Sequence, residues 1–357
     1  MAKWPAVLDR RSIIETLQPL REGEQARAEP SWKLGCFSEY GRLHAVVVGR
    51  LDDLAYPAWS PNIRYLSGEI AELLSGATGT SVNIRESAPH LWEALFADVE
   101  GIVETFEQHG VEVLRPRTYL PGELQYLDYL QGGHSLLYPA DPTYVLGKHV
   151  IETCIRRPFR RKETWATRDV LMPHIERDAE ARHVAIPRAQ PYPAGSEGPG
   201  PFLEGGDIIM FGNDVLCGAT DLTSNELGRS WLRRYLEPFG YQVHAVDVQG
   251  TWLHLLGVMC LVREGLVMAH MPALRGGLPA PIADWELIEL TEQETRMLAT
   301  VGMNIDQKRH MIDRRFDRVM GELERRGVEP VPVSVDHLSA WGGAVRCVAL
   351  PIARDAD

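Results

Sequence analysis

A weak internal repeat constrains the fold of this chain more than any other feature of its sequence. Four times, a run of apolar residues meets a short turn and returns as a second apolar run. Gly, Asn and Asp at these turns supply the positive φ that short hairpin loops require. The predicted hairpins cover residues 143–151, 207–217, 257–268 and 301–312.

An amphipathic helix and then a single strand follow the fourth hairpin. In residues 314–326 apolar side chains recur at helical spacing, Gly327 ends the helix, and residues 328–335 alternate as a strand. Residues 225–239 and 92–108 show the same order of helix, glycine and strand. Hairpin, helix and strand therefore recur as a ββαβ unit.

A fifth unit is completed by a strand at residues 43–49, which is predicted to pair with a strand at about residues 345–350. Because a repeat of this size cannot bury its apolar face alone, such units are expected to close into a ring. The sequence thus predicts a pseudo-symmetric α/β propeller, with an ordinary mixed α/β protein in two domains as the alternative. We assign residues 1–35 to an N-terminal extension and 36–357 to a single propeller domain.

The charge and the cysteines disfavour several classes of protein. The net charge of −12 argues against nucleic-acid binding, which needs a basic face. The five scattered cysteines form no Cys-x-x-Cys pair, so a reducing compartment is expected rather than a disulfide framework or a zinc site. The N-terminus lacks the apolar stretch of a signal peptide, and no run of about 18 apolar residues occurs. We expect a cytoplasmic protein that does not bind membranes.

Two residues are candidates for nucleophilic and acid–base chemistry. Cys347 follows two glycines at the start of the last predicted strand, and the neighbouring Arg346 would favour the thiolate. His254 lies in an apolar run, where an imidazole that titrates near the working pH would serve as a general acid or base. Taken singly, each is also compatible with a buried structural residue, which is the commoner situation.

Three carboxylates complete the set of candidates. Glu204 and Asp207 enclose two glycines at the start of a strand, directly after a Pro- and Gly-rich loop at residues 188–203 that is a candidate lid or rim. Asp141 precedes a proline and another strand, so a turn-forming role is the alternative there. Glu204 and Asp207 are also a possible metal-binding pair, but nothing else completes a metal-ligand spacing, and we expect no metal.

These motifs occur in the order found in the guanidino-group modifying enzymes, which include glycine and inosamine-phosphate amidinotransferases, arginine deiminase and dimethylarginine hydrolase. The chain resembles that superfamily from about Cys36 to Pro351. The resemblance is carried by His44–Arg50, Pro139–Asp141, Arg156–Glu163, Glu204–Asp207, His254 and Gly342–Cys347. It implies a five-bladed α/β propeller with an active site in the central channel, in agreement with the repeat.

The resemblance also implies a mechanism that needs no cofactor. Asp141 and Glu204 would hold a planar guanidinium ion by bidentate hydrogen bonds, and Asp207 is expected among the substrate-binding residues. Cys347 would attack the guanidinium carbon to form an amidino-thioether, while His254 would protonate the departing amine. Transfer of the amidino group to an amine defines an amidinotransferase with an arginine-like donor, and transfer to water defines a hydrolase.

Two positions depart from the superfamily pattern. Leu256 replaces an aspartate that often contacts the guanidinium ion. Leu222 stands where many of the hydrolases carry an arginine for the substrate carboxylate. Arg157, Arg160 or Arg161 is therefore predicted to bind that carboxylate.

The motifs divide between transfer and hydrolysis. The segment Asn225–Trp231 matches an Asn-x-x-Gly-x-x-Trp helix of amidinotransferases, whereas the two glycines of Glu204–Asp207 are typical of deiminases and dimethylarginine hydrolases. We favour transfer, with hydrolysis as the alternative and a non-catalytic guanidine-binding protein as the third possibility. The resemblance implies small-molecule partners and a homodimer.

Overall fold

A computed structural model describes residues 30–58, 63, 66, 68–77, 81–131, 133–189, 197–220 and 222–357. Residues Leu34–Asp357 form one compact unit. Most of the predicted N-terminal extension, residues 1–29, lies outside the described residues, and so does the middle of the loop at 188–203. The domain boundary at residue 35 stays a prediction.

Strands make up most of the regular structure. They are β1 (Gly35–Cys36), β2 (Leu43–Val48), β3 (Arg50–Pro57), β4 (Ser81–Asn83), β5 (Glu112–Leu114), β6 (His134–Leu136), β7 (Thr143–Leu146), β8 (His149–Glu152), β9 (Arg182–Ala185), β10 (Ile208–Phe211), β11 (Asp214–Ala219), β12 (Gln242–Asp247), β13 (Met259–Arg263), β14 (Leu266–Ala269), β15 (Glu286–Glu289), β16 (Met303–Asp306), β17 (Arg309–Asp313), β18 (Glu329–Val333) and β19 (Ala349–Arg354).

Helices occupy the crossovers and the long connection after β3. They are α1 (Gly68–Ser75), α2 (Ile84–Ser87), α3 (Pro89–Gln108), α4 (Pro121–Gln131), α5 (Thr164–Arg177), α6 (Glu226–Leu236), α7 (Glu292–Arg296), α8 (Asp317–Arg325), α9 (Asp336–Ala340) and α10 (Val345–Val348). In the described ranges no helix combines the length and the apolar character needed to cross a bilayer.

Five sheets share one plan, in which the second strand of an antiparallel hairpin pairs in parallel with a third strand. The hairpins β7–β8, β10–β11, β13–β14 and β16–β17 are each extended in this way, by β9, β12, β15 and β18. The fifth sheet joins β19 to β2 antiparallel and β2 to β5 in parallel. The four predicted hairpins and the five-unit α/β propeller are confirmed.

The crossovers differ from one unit to the next. A parallel neighbour requires a long connection, and in most units that connection contains a helix, such as α5, α6 or α8. In the third unit the connection from β14 to β15, which is described throughout, contains the two 3₁₀ turns Met271–Ala273 and Ala280–Ile282 instead. The strand pairing of the ββαβ unit is therefore the same in all five units, whereas the helix is not present in every one.

The helices bury one apolar face against their own unit. Leu232 and Leu236 of α6 pack into a cluster with the strands β10 and β11, and Val319 and Leu323 of α8 pack with residues of β17. Full burial of one such side chain contributes about 1.5–3 kcal/mol. The helices thus hold the outer side of the ring while the strands line its interior.

One predicted strand begins later than expected. Residues 345–348 form the single helical turn α10, and β19 starts at Ala349. The amide nitrogens of Cys347 and Val348 both donate to the carbonyl oxygen of Ala344, at 3.0 and 3.3 Å, and close that turn. The prediction of a strand at Cys347 is therefore wrong, and the cysteine lies on a helical turn just before the strand that closes the ring.

Candidate active site

Cys347 lies at a pocket of about 380 Å³. All five cysteines are described, and four of them are buried while Cys347 is partly exposed. Asp141, His254 and Leu256 line the same pocket. The structure therefore brings the predicted nucleophile, the predicted base and one predicted acid to a single cavity.

His254 and Glu204 form a buried pair behind the pocket. Nε2 of His254 lies 2.8 Å from Oε2 of Glu204 and 4.0 Å from Oδ1 of Asp141. Burial lowers the pKa of His254, but the charges of Asp141 and the hydrogen bond to Glu204 outweigh it, and the pKa is raised overall. The imidazole is thus held in the form that can donate a proton.

Glu204 is fully buried and accepts three hydrogen bonds. Besides His254, Nη2 of Arg157 donates to its Oε2 at 2.5 Å and the amide of Arg156 donates to its Oε1 at 3.0 Å. Burial raises the pKa of this carboxyl, yet the charge of Arg157 and the His254 contact lower it overall to about 2. Glu204 is therefore a permanently charged carboxylate at neutral pH.

Two glycines allow this close arrangement. A Cβ on Gly205 would lie 1.9 Å from the carbonyl oxygen of Ala140, and a Cβ on Gly206 would lie 2.6 Å from Cγ of His254. The amide of Gly205 also donates to the carbonyl oxygen of Asp141 at 2.9 Å. The Gly-Gly pair is required because both the Asp141 turn and the imidazole approach the backbone directly.

Asp141 is buried and paired with an arginine of the protein itself. Nη1 of Arg160 donates to Oδ2 of Asp141 at 2.8 Å. The same guanidinium group contacts both oxygens of Glu163 and the carbonyl oxygen of Tyr138. Oδ1 of Asp141 lies 4.0 Å from Nε2 of His254. Oδ2 is therefore occupied by Arg160, whereas Oδ1 remains at the pocket.

Glu163 is a further buried acid of this network that the sequence reasoning did not single out. Burial raises its pKa to about 7, against the opposing effect of Arg160, and Asp141 adds to the rise. Its spacing of three residues from Arg160, inside an arginine-rich stretch, is the sequence signal that indicates an ion pair. The carboxyl therefore titrates near neutral pH beneath the pocket.

The three arginines predicted for a substrate carboxylate have other partners. Arg157 and Arg160 pair with the two acids of the site, Glu204 and Asp141. Arg161 donates to the carbonyl oxygens of Ile155, Arg156 and Glu197, at 2.9–3.1 Å, and does not line the pocket. In this structure their contacts are those of positioning groups, and binding of a substrate carboxylate by any of them stays a prediction.

Asp207 is held by the scaffold rather than directed at the pocket. Its Oδ2 accepts from Oγ1 of Thr223 at 2.7 Å and from the amide of Ser224 at 3.2 Å, and its Oδ1 accepts from the amide of Leu255 at 2.9 Å. These bonds tie two loops together on either side of His254. The geometry therefore favours a positioning role for Asp207 over the predicted substrate contact.

Arg346 lowers the pKa of Cys347 in the predicted direction, but other effects outweigh it. Burial raises the pKa of Cys347 to about 12, Asp141 raises it further, and Arg346 and Arg160 oppose this only in part. The guanidinium of Arg346 is engaged by Glu39, with Nε 3.3 Å from Oε2. Without a bound cation, Cys347 is therefore a protonated thiol.

The other side of the pocket is apolar. It is formed by Leu253, Leu256, Leu298 and Val301. Leu256 and Val301 are almost fully buried. Leu298 has a φ of 69°, the one positive φ outside glycine among the described residues, and a left-handed leucine costs about 1–2 kcal/mol.

Among the described residues, one group has the composition of a metal site: Asp141, Glu204 and His254, whose ligand atoms lie within 4.8 Å of one another. Both carboxylates already receive a guanidinium group, from Arg160 and Arg157. A divalent cation there would be repelled by two fixed positive charges. The donor set is thus better suited to a planar organic cation, which can share carboxylates with guanidinium groups.

The chain was compared with known proteins. No family model matches it. The putative inosamine-phosphate amidinotransferase 2 of Streptomyces griseus is 25% identical over 344 residues, which are 90% of this chain and 97% of that protein. The mitochondrial glycine amidinotransferase of Danio rerio is 23% identical over 355 residues, 89% of this chain and 82% of that protein. The chain is therefore similar, over most of its length, to amidinotransferases of the guanidino-group modifying superfamily.

Solved structures of this superfamily share the fold. SxtG, an amidinotransferase from Microseira wollei in the saxitoxin biosynthetic pathway, superposes with a TM-score of 0.74 at 19% identity and covers 91% of this chain and 98% of its own. DDAH from Pseudomonas aeruginosa gives a TM-score of 0.58 at 16% identity over 87% of this chain and 99% of its own. Transfer and hydrolysis of guanidino groups thus occur on the propeller seen here.

The amidinotransferase-like segment Asn225–Trp231 has a structural explanation. Oδ1 of Asn225 accepts from the amides of Gly228 and Phe202, both at 3.1 Å, and so caps α6. A Cβ on Gly228 would lie 1.8 Å from the carbonyl oxygen of Phe202. The motif docks α6 against Phe202, in the segment that leads into Glu204.

Proposed function

We propose that the chain is an amidinotransferase that takes the amidino group of an arginine-like guanidine onto Cys347 and passes it to an amine. The observation that carries this proposal is the common pocket of Cys347, His254 and Asp141, with Glu204 hydrogen-bonded to His254 at 2.8 Å. These groups supply a nucleophile, a proton donor and a carboxylate for the cation.

The charges beneath the pocket suit one bound cation. Two guanidinium groups face four buried carboxylates, which leaves two negative charges when all six groups are ionised. The groups are Asp141, Glu163, Glu204, Asp207, Arg157 and Arg160. One guanidinium substrate and one imidazolium at His254 neutralise the cluster, which favours binding of a monocation because buried net charge is costly.

The bound cation also activates the thiol. Burial and then the charge of Asp141 raise the pKa of Cys347 in the empty pocket. A guanidinium ion beside Asp141 offsets that charge and lowers the pKa, which favours transfer of the thiol proton to water. The thiolate attacks the guanidinium carbon, the carbon–nitrogen bond on the His254 side breaks, and the imidazolium protonates the departing amine. His254, now neutral, accepts a proton from the incoming amine.

Hydrolysis is the second candidate, and the Gly205-Gly206 pair favours it because superfamily hydrolases typically carry these glycines. Water would then attack the same amidino-thioether with His254 as the base. The two candidates share every residue of the site and differ only in the acceptor.

Intact-protein mass spectrometry after mixing with a guanidine donor tests the shared step. We expect an adduct that maps to Cys347, with ornithine released from arginine-like donors. Ornithine that accumulates only with an added amine identifies a transferase. Ornithine with urea in water alone identifies hydrolysis of the same amidino-thioether, and citrulline with ammonia identifies hydrolysis in which the amino-acid portion stays on Cys347. If Cys347→Ala retains wild-type turnover, the proposal is wrong.

A further inference from the structure

Glu163 lies at the inner end of a series of buried ion pairs that begins at the pocket. Nε and Nη2 of Arg160 donate to its carboxylate at 2.8–3.0 Å. Nη1 of the same guanidinium group donates to Oδ2 of Asp141 at 2.8 Å. All three side chains are buried, so water screens their charges only weakly. A cation that binds at Asp141 therefore acts on the charge of Glu163.

The titratable and charged groups that face Glu163, within the described part of the chain, come from three segments. Arg157 and Arg160 belong to its own segment, Asp141 lies just before β7, and Tyr119 lies before α4. The hydroxyl of Tyr119 donates to a backbone carbonyl oxygen at 3.1 Å. Burial raises the pKa of Tyr119 well above its usual value, so this neighbour is neutral. The charge state of Glu163 is thus set by the two arginines and by Asp141.

The charges of the whole cluster do not cancel in the empty pocket when every acid is ionised. Four carboxylates then face two guanidinium groups and one imidazolium, which leaves one negative charge. These groups are Asp141, Glu163, Glu204, Asp207, Arg157, Arg160 and His254, all of them buried. Because an unbalanced buried charge is costly, one of the acids is expected to keep a proton until a cation arrives.

The contacts of the four acids indicate which of them keeps that proton. Glu204 and Asp207 each accept three hydrogen bonds, and such bonds favour the ionised form. Asp141 lies between Arg160 and His254. Glu163 shares the guanidinium group of Arg160 with Asp141, and burial raises the pKa of its carboxyl to about 7.

We propose that Glu163 holds a proton while the pocket is empty and releases it when a guanidinium ion binds at Asp141. This inference rests on the proposed function and adds a charge-balancing residue to it. The O–H bond of the Glu163 carboxyl breaks, and the proton passes to water while the substrate stays ionised. The bound ion adds the positive charge that the proton removes, so the cluster is neutral before and after binding. Glu163 acts through Arg160 and is a positioning residue.

The release of a proton gives the binding of a cation a defined pH dependence. Below about pH 7 the empty site holds the proton, and binding must displace it, so affinity should fall by up to about 10-fold for each pH unit. Above about pH 7 little proton remains to be displaced, and this contribution should level off.

Isothermal titration calorimetry on the Cys347→Ala protein measures the release, because this variant has no thiol proton to lose. L-Arginine is titrated at pH 6 and at pH 8, each in two buffers that differ in their enthalpy of ionisation. We expect most of one proton to be released at pH 6 and about a tenth of a proton at pH 8. L-Citrulline has the same α-amino and carboxyl groups with a neutral side chain, and it should release none.

Glu163→Gln in the same background tests the assignment, since glutamine keeps an acceptor for Arg160 and has no proton to release. Release should disappear, and arginine should bind about 10-fold more weakly at pH 8. Glu176→Gln makes the same change at an exposed position of α5 and should release the proton as its parent does. Release that persists in folded Glu163→Gln overturns the inference.

Infrared difference spectroscopy provides a readout that does not need the Glu163 variant. At pH 6 the carbonyl band of a protonated carboxyl should disappear when arginine binds to the Cys347→Ala protein. An unchanged band contradicts the inference.

The outcomes separate this inference from the proposed function. Arginine that binds without releasing a proton refutes the role of Glu163 and leaves the Cys347 chemistry intact. Failure of arginine to bind also refutes it, and the adduct measurement on the wild-type protein then decides the proposed function independently.

Discussion

On one side of the pocket, Asp141, Glu204 and His254 are fixed by hydrogen bonds that extend through two arginines into the interior. On the other side, the side chains of Leu256 and Val301 pack in apolar clusters. A change on the first side leaves a buried charge without its partner, whereas a change on the second alters contacts that do not depend on charge. The comparison teaches that one side of the pocket depends on charge pairing, whereas the other side depends on apolar packing.

The largest effect should come from removing the proposed nucleophile, Cys347, on which both sides of the pocket depend for the proposed reaction. Cys347→Ser is expected to lower turnover by at least about 10⁴-fold, because a serine hydroxyl is a far weaker nucleophile without a strong base. Ornithine release under saturating donor measures it. Cys260→Ser makes the same substitution at a buried cysteine, and this control should retain activity.

The second effect tests the charged side directly. Glu204→Gln should lower kcat/KM by about 10²- to 10³-fold and destabilise the fold by about 3–5 kcal/mol, since it leaves the buried Arg157 without its counter-charge. Steady-state kinetics and urea unfolding measure the two losses. The exposed Glu180→Gln is the matched control, and a Glu204→Gln protein with wild-type stability would contradict the view that this side depends on charge pairing.

The third effect is the pH dependence of stability. The pKa of Glu204 is lowered from 4.5 to about 2 in the folded state, so its contribution is fully present above pH 4.5 and is lost as the pH falls toward 2. A shift of this size corresponds to about 3 kcal/mol. Urea unfolding between pH 6 and 3 should show a steeper decline for the wild type than for Glu204→Gln. Parallel curves would argue that the carboxylate gains no charge stabilisation from folding.

The smallest effect should come from the apolar side. Leu298→Gly relieves a left-handed leucine and removes part of the apolar surface, and the two changes should offset each other to within about 1 kcal/mol of unfolding free energy. A loss of stability as large as that of Glu204→Gln would remove the proposed difference between the two sides.

The fold could be predicted from the sequence where the signal is local. The four hairpins carry their own turn residues, so their strands lie within a few residues of the prediction. The start of β19 was missed because a short apolar run such as Val345–Val348 fits a helical turn as well as a strand. The crossover after β14 lacks an α-helix for a reason that is equally local, since prolines at 272, 279 and 281 interrupt it.

Most residues of the candidate site could be predicted from the sequence, but the contacts between them could not. Cys347, His254 and Asp141 do line one pocket, but Arg157 reaches Glu204 across 47 positions and Arg160 reaches Asp141 across 19. No spacing rule connects residues so far apart. The hydrogen bond between Thr223 and Asp207, which are 16 positions apart, could not be predicted for the same reason.

The pairing of β19 with β2 has a consequence for the order in which the protein becomes active. Cys347 lies just before β19. Its thiol therefore reaches Asp141 and His254 only when β19 pairs with β2. A chain that is still being synthesised, or whose final strand has detached, keeps its thiol away from Asp141 and His254. The proposed site is therefore complete only after β19 has paired with β2, and the proposed reaction would require a fully assembled ring.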